Sequence, residues 1–98
     1  MIARVWRGRT AAADAPVYEH HFRDDVLPEL ARVDGFSGAT LLRRVIDGMV
    51  EFMTITRFDS LDAVRGFAGE DYERARIAPA ARAVLVEYDD RAVHYDVG

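Results

Sequence analysis

Three histidines, one tryptophan and a set of arginines are the residues of this 98-residue chain on which binding chemistry can rest. His21 stands four residues before Asp25. On a helix that spacing lets a carboxylate orient the imidazole, and it equally makes a plain surface ion pair. His94 alternates with Tyr95 on a late extended run, so the two point to opposite surfaces, and His94 faces either a cavity or a seam between subunits. His21 and His94 are the candidate catalytic bases. His20 and His21 are no metal pair, because neighbours on a helix project about 100° apart. Trp6 suits a flat aromatic ligand and suits a core or an interface equally well. Arg43 has no acid opposite it in the hairpin described below and is the candidate to receive an anionic group. Arg44 has Glu51 as a ready partner and reads as structural.

Other chemistries find no residues. Cysteine is absent, which removes disulfides, thiolate metal sites and thiol nucleophiles. The acids show no metal-ligand spacing, and the chain has neither a glycine-rich phosphate loop nor a serine-centred elbow. No metal and no tightly held cofactor are therefore expected. The net charge is −4 and the arginines are scattered, which argues against nucleic acid as a partner. Arg4 and Arg7 interrupt the apolar N-terminus, and no run approaches the roughly 20 apolar residues of a membrane span. A cytoplasmic protein that meets no membrane is expected.

The positioning elements follow from spacing. One domain, residues 1–98, is expected. Residues 2–8 read as a strand, Thr10 to Ala15 as a turn, and Pro16 as the start of a helix that Asp14 can cap. Tyr18, Phe22, Val26, Leu30 and Val33 mark that helix's apolar stripe, with a kink expected near Leu27 because of Pro28. Phe36 to Ile46 and Met49 to Phe58 flank Asp47-Gly48, a dipeptide suited to a two-residue type I′ hairpin. That turn pairs Ile46 with Met49, Arg44 with Glu51, Leu42 with Met53 and Thr40 with Ile55. On the other surface it pairs Val45 with Val50, Arg43 with Phe52, Leu41 with Thr54 and Ser37 with Phe58. Asp59 or Ser60 caps a second helix whose inward residues are Leu61, Val64, Phe67 and Ala68, with Gly69 at its end. Residues 70–76 suit a further short helix. Ala80 to Tyr88 follow Pro79 and lean helical, and Asp89-Asp90 turn into a last strand, Arg91 to Val97.

The order β-α-β-β-α-β folds into an antiparallel, ferredoxin-like α+β sheet with both helices on one face. Both surfaces of the hairpin are substantially apolar, and nothing in the chain is left for the second. A copy of the chain is the simplest cover, which predicts a homodimer.

Three features carry a resemblance: this element order, the run Asp34-Gly35-Phe36-Ser37-Gly38 before the second strand, and Ile55-Thr56-Arg57-Phe58-Asp59-Ser60 after the third. Over its whole length the chain resembles the antibiotic biosynthesis monooxygenase-like family of dimeric α+β barrels, with Phe58 where a tryptophan is common. The resemblance implies oxygenation of a small aromatic or polyketide-like substrate without a cofactor. Haem-degrading members use a first-strand asparagine, a second-helix tryptophan and a following histidine. Here asparagine is absent, Phe67 stands for the tryptophan, and Arg76 or Ile77 for the histidine, so haem degradation is disfavoured. The polyketide oxidases' asparagine and tryptophan near the third strand's end correspond to Thr54 and Phe58. The resemblance also places Tyr72 among pocket-lining groups. Trp6, Arg43, Phe58 and Tyr72 are thus the candidate substrate-binding residues, and the ligand expected is small and apolar or aromatic. A non-catalytic binding or accessory protein of the same fold is the alternative.

Overall fold

The computed structural model describes every residue from Met1 to Gly98. Five antiparallel strands form one sheet: β1 (Ile2–Ala11), β2 (Phe36–Ile46), β3 (Met49–Phe58), β4 (Leu85–Tyr88) and β5 (Val93–Asp96). Their order is β2-β3-β1-β4, and β5 also pairs with β1. β4 lies against Gly8–Thr10 and β5 against Ile2–Val5, so together they act as one outer strand interrupted at residues 89–92. Even-numbered residues of β1 and β3 face the helices, and Val50, Phe52 and Phe58 are buried there.

The hairpin has the register its turn dictates. Asp47 and Gly48 both take positive φ, 52° and 75°, as a type I′ turn requires. Pairing then runs from Ile46↔Met49 through Arg44↔Glu51 and Arg43↔Phe52 to Gly38↔Arg57. The expected pair Ser37–Phe58 does not form. A bulge at Ser37 brings Phe36 opposite Phe58, and Ser37 Oγ is turned to donate to Asp59 Oδ1 at 2.9 Å. The two runs that carry the family resemblance are thereby joined. The Asp59 N–H donates to the Gly35 carbonyl at 2.8 Å. Gly35 (φ 89°) passes so close to α3 (Leu61–Ala68) that a Cβ there would lie 2.7 Å from that of Ala63. Ser60 caps α3 by accepting from the Ala63 N–H at 3.2 Å.

The first helix is broken, as Pro28 predicts. α1 (Ala15–His21) runs into a wide turn of π geometry at Phe22–Val26 and then α2 (Leu27–Leu30). Pro28 has no N–H to offer the Asp24 carbonyl, and the Leu27 N–H reaches back to Phe22 O instead. Asp14 makes no capping bond.

The last third departs from expectation. Residues 70–76 are not helical: the Ala75 N–H donates to Asp90 O and the Ala92 N–H to Glu73 O, at 2.8 and 2.7 Å. Their backbone groups are thus committed to the interrupted outer strand. The helical lean of Ala80–Tyr88 holds only for α4 (Pro79–Arg82). The free edge of β1 at Gly8–Thr10 takes Leu85–Tyr88 as a strand, and this tertiary pairing outweighs local helix propensity. The first strand runs three residues past its expected end, and the last is shorter than expected.

The core has two clusters. Tyr18, Phe22, Val50, Phe52, Ala15 and Ala81 make one, and Leu30, Phe58, Ala63 and Val64 the other. Phe58 is fully buried. Phe58→Ala should lower the unfolding free energy by about 3–5 kcal/mol, and Ser60→Ala by about 1 kcal/mol, in urea denaturation. A loss for Phe58→Ala no larger than that for Ser60→Ala would mean that the second cluster does not hold the helices to the sheet.

Candidate functional site

Between the two clusters the sheet offers a polar floor. Where apolar side chains would complete the core, β1 and β3 present Arg4, Thr54 and Thr56, all buried. Above them is a cavity of about 80 Å³, partly open to solvent, with walls that include Trp6, Tyr18, His21, Phe67 and Arg76. The wide turn of the first helix supplies Phe22 and Val26 to the same wall.

Arg4 is the unusual member. It is only 5% exposed, yet no carboxylate pairs with it. Nη1 donates to the Tyr72 carbonyl and, at 3.1 Å, to His94 Nε2, while Nη2 donates to Arg74 O at 3.2 Å. Burial, and then the Arg76 charge, push its pKa down to about 10. Phe67 takes both cations on its ring, Arg76 at 4.9 Å and Arg4 at 5.9 Å from the centroid. Arg76 stands at the outer edge, bonded to Glu29.

His21 is buried, and its Nδ1 lies 2.7 Å from Asp25 Oδ2. With Nδ1–H donated to the carboxylate, Nε2 is left as the nitrogen that can take a proton. An imidazole so oriented on a cavity wall is the arrangement of a general base. Burial raises the Tyr18 phenol far above its ordinary pKa, so it remains neutral.

Of the residues singled out in the sequence, Trp6 and His21 meet at this cavity. Trp6 is fixed on two sides. Its indole N–H donates to Asp89 O at 2.8 Å, and its ring lies over Gly8, where a Cβ would come 2.6 Å from Cη2. His94 lies elsewhere, in an edge cleft with Tyr72, their rings 5.2 Å apart and edge to face. Its Nε2 accepts from Arg4, so that nitrogen is not free to act as a base. Tyr72 packs beside the second cluster, with Arg65 over its ring at 5.2 Å. Phe58 lies inside that cluster and does not line the cavity. Arg43 is not without an acid. It reaches across from β2 to Glu19 on α1, and both lie outside the cavity. Cross-strand neighbours alone did not reveal that helix residue. Thr54, Phe67, Arg76 and Ile77, the other positions weighed in the family comparison, all reach the cavity wall. Arg4 was missed because an arginine in a first strand reads as solvent-facing. The signal was its even-numbered position, in phase with Ile2 and Trp6.

No family model matches the sequence, and no curated protein matches it. Solved structures do match in fold. A MhuD variant with two manganese protoporphyrin IX molecules bound per active site has a TM-score of 0.69 at 19% identity, over 99% of this chain and 94% of that one. A putative antibiotic biosynthesis monooxygenase from Bacillus cereus gives 0.68 at 14%, over 97% and 89%. Protein Atu4242 from Agrobacterium tumefaciens gives 0.64 at 16%, over 100% and 94%. The chain therefore has the α+β fold of these monooxygenase-like proteins. The porphyrin does not fit the cavity seen here, whose roughly 80 Å³ lies far below even the roughly 300 Å³ at the lower end of ligand pockets. No three histidine, cysteine or acidic side chains converge on a point, and no helix is long and apolar enough to cross a membrane.

His94 also gives the protein a pH signature. Burial, and next the Arg4 charge, hold its pKa below the ordinary imidazole value, against a smaller opposing pull from Glu73. The unfolded chain therefore takes up a proton near pH 6.5 that the folded protein resists, and stability is lost as pH falls through that value. His94→Gln keeps an acceptor for Arg4 and removes the titration. Its Tm should fall less steeply than that of the unsubstituted protein between pH 7 and 5. Equal slopes would show that His94 titrates alike in both states.

Proposed function

We propose that the cavity binds one small molecule and that His21, oriented by Asp25, removes a proton from it so that it reacts directly with oxygen. The observation that carries this reading is the convergence of an oriented imidazole and a buried cation on one small, mostly apolar cavity. The fold shared with a putative antibiotic biosynthesis monooxygenase supports it. A substrate with an acidic CH2 beside a carbonyl loses a proton to His21 Nε2. The resulting anion, stabilised by the Arg4 charge, passes its electrons to oxygen and forms a C–O bond as a peroxide anion. His21 returns its proton, and loss of water with the second C–H hydrogen leaves a ketone. One oxygen atom enters the product and the other leaves as water, with all four electrons drawn from the substrate. Apolar side chains make up most of the wall around the anion.

We further propose that the chain acts as a homodimer through the face of the sheet that its helices leave bare. Leu42, Val93 and Tyr95 are about half exposed there, at 47, 51 and 58%, beside Val5, Met53 and Ile55 on the paired strands. A continuous apolar face of this kind is rare on monomers.

His21→Ala should lower turnover of an identified substrate about a hundredfold or more while sedimentation is unchanged. Unchanged turnover would remove the base and leave the alternative, a binding protein of the same fold. Leu42→Arg should convert a sedimenting dimer into monomer or unfold it, since it sets an unpaired charge in an apolar seam. A variant as well assembled and as thermally stable as the parent would show this face to be open. Haem added with a reductant should keep its Soret band, and loss of that band with product formation would overturn the exclusion of porphyrin chemistry.

A further inference from the structure

We infer that the ligand of this cavity is a short carboxylic acid, held as its carboxylate by Arg4. The inference rests on the cavity being the ligand site and not on the reaction carried out there.

Arg4 has a structural task, since it ties the carbonyls of residues 72 and 74 to the sheet. That task does not exhaust it. A guanidinium has five N–H donors. Tyr72 O, His94 Nε2 and Arg74 O take three of them, leaving the donor on Nε and the second on Nη2. These adjacent nitrogens form the side of a guanidinium that grips a carboxylate with two parallel bonds. Arg4 lines the cavity, and its Nε, which has no partner in the protein, is not sealed from accessible space.

The charge around the cavity favours an anion. The nearby acids are already engaged, Asp25 with His21 and Glu29 with Arg76. Arg4 and Arg76 lie close enough for their mutual repulsion to lower the Arg4 pKa. An anionic ligand would relieve that repulsion, and a neutral one would not. Two hydroxyls on the wall, of Tyr18 and Thr54, make no hydrogen bond within the protein and are not sealed from the cavity, so they are open to a ligand oxygen.

Size narrows the class. At roughly 10–15 Å³ per water-sized occupant, the space of about 80 Å³ takes some six non-hydrogen atoms. Butyrate has that size, and butyramide is its neutral counterpart.

The test is a titration of the unsubstituted protein with each compound, followed by NMR of the arginine Nε–H signals. Butyrate should shift the Arg4 Nε–H resonance saturably, with an affinity at least tenfold above that of butyramide. Arg4→Met should abolish the preference, and inorganic sulfate should compete only weakly. Equal binding of the two compounds, a preference that survives Arg4→Met, or sulfate binding as tightly as butyrate would each overturn the proposal. Should Arg4→Met fail to fold, the Nε–H shift in the parent protein decides, because an Arg4 signal unmoved by bound butyrate is equally fatal. None of these readouts involves turnover. A failed carboxylate site with an active His21, or an inert His21 with a sound carboxylate site, would therefore be told apart.

Discussion

The fold turns on one buried charge. Arg4 enters the sheet where the alternation of β1 demands an inward side chain, and at that depth a cation is costly unless its donors are satisfied. The chain satisfies three of them with groups drawn from its last third: two carbonyls of the irregular segment after α3, and His94 on β5. This accounts for the shape of that region. Residues 70–76 stay out of helical geometry because their backbone groups bond to residues 90–92 and to Arg4, and a helix would turn those carbonyls back upon themselves. The outer strand is interrupted at the same level, where Asp89 bonds the Trp6 indole.

The remaining walls come from ordinary folding devices used near their limits. Pro28 withholds a donor from the first helix, and the widened turn ahead of it swings Phe22 and Val26 onto the cavity wall while His21 and Asp25 remain within bonding distance. Gly8 gives up a side chain so that the Trp6 ring can lie flat against β1. The bulge at Ser37, the close passage of Gly35 and the Ser60 cap fix where α3 begins, and so where Phe67 stands further along it. Residues with no part in chemistry thereby set the position of those that have one.

Much of this was legible in the sequence. The hairpin register followed from Asp47-Gly48, because a two-residue turn leaves no freedom in pairing, and the break at Pro28 followed from a missing N–H. The bulge at Ser37 did not follow, since it answers to Asp59, twenty-two residues away. The strand at Leu85–Tyr88 was equally hidden. Its local composition suits a helix as well, and only the unpaired edge of β1 decides between them. The candidate site was half legible. His21 with Asp25 is a local pair and shows in the spacing, whereas the Arg43–Glu19 and Arg4–His94 contacts join distant parts of the chain. The family resemblance located cavity positions such as Phe67 and Arg76 better than it located residue types.

His21 and His94 show how the same side chain is directed to different ends. His94 lies behind Arg4, and the bond it accepts leaves its proton on Nδ1. Protonation there would set two cations 3.1 Å apart, so the fold resists it. His21 has a different environment, with a carboxylate 2.7 Å from Nδ1 that orients the ring. Of the two, only His21 has a carboxylate hydrogen-bonded to its ring. In the reaction proposed above, the cation at Arg4 would lower the cost of the negative charge left when the proton departs. Proton and electron pair would thus separate toward opposite charges across a mostly apolar cavity.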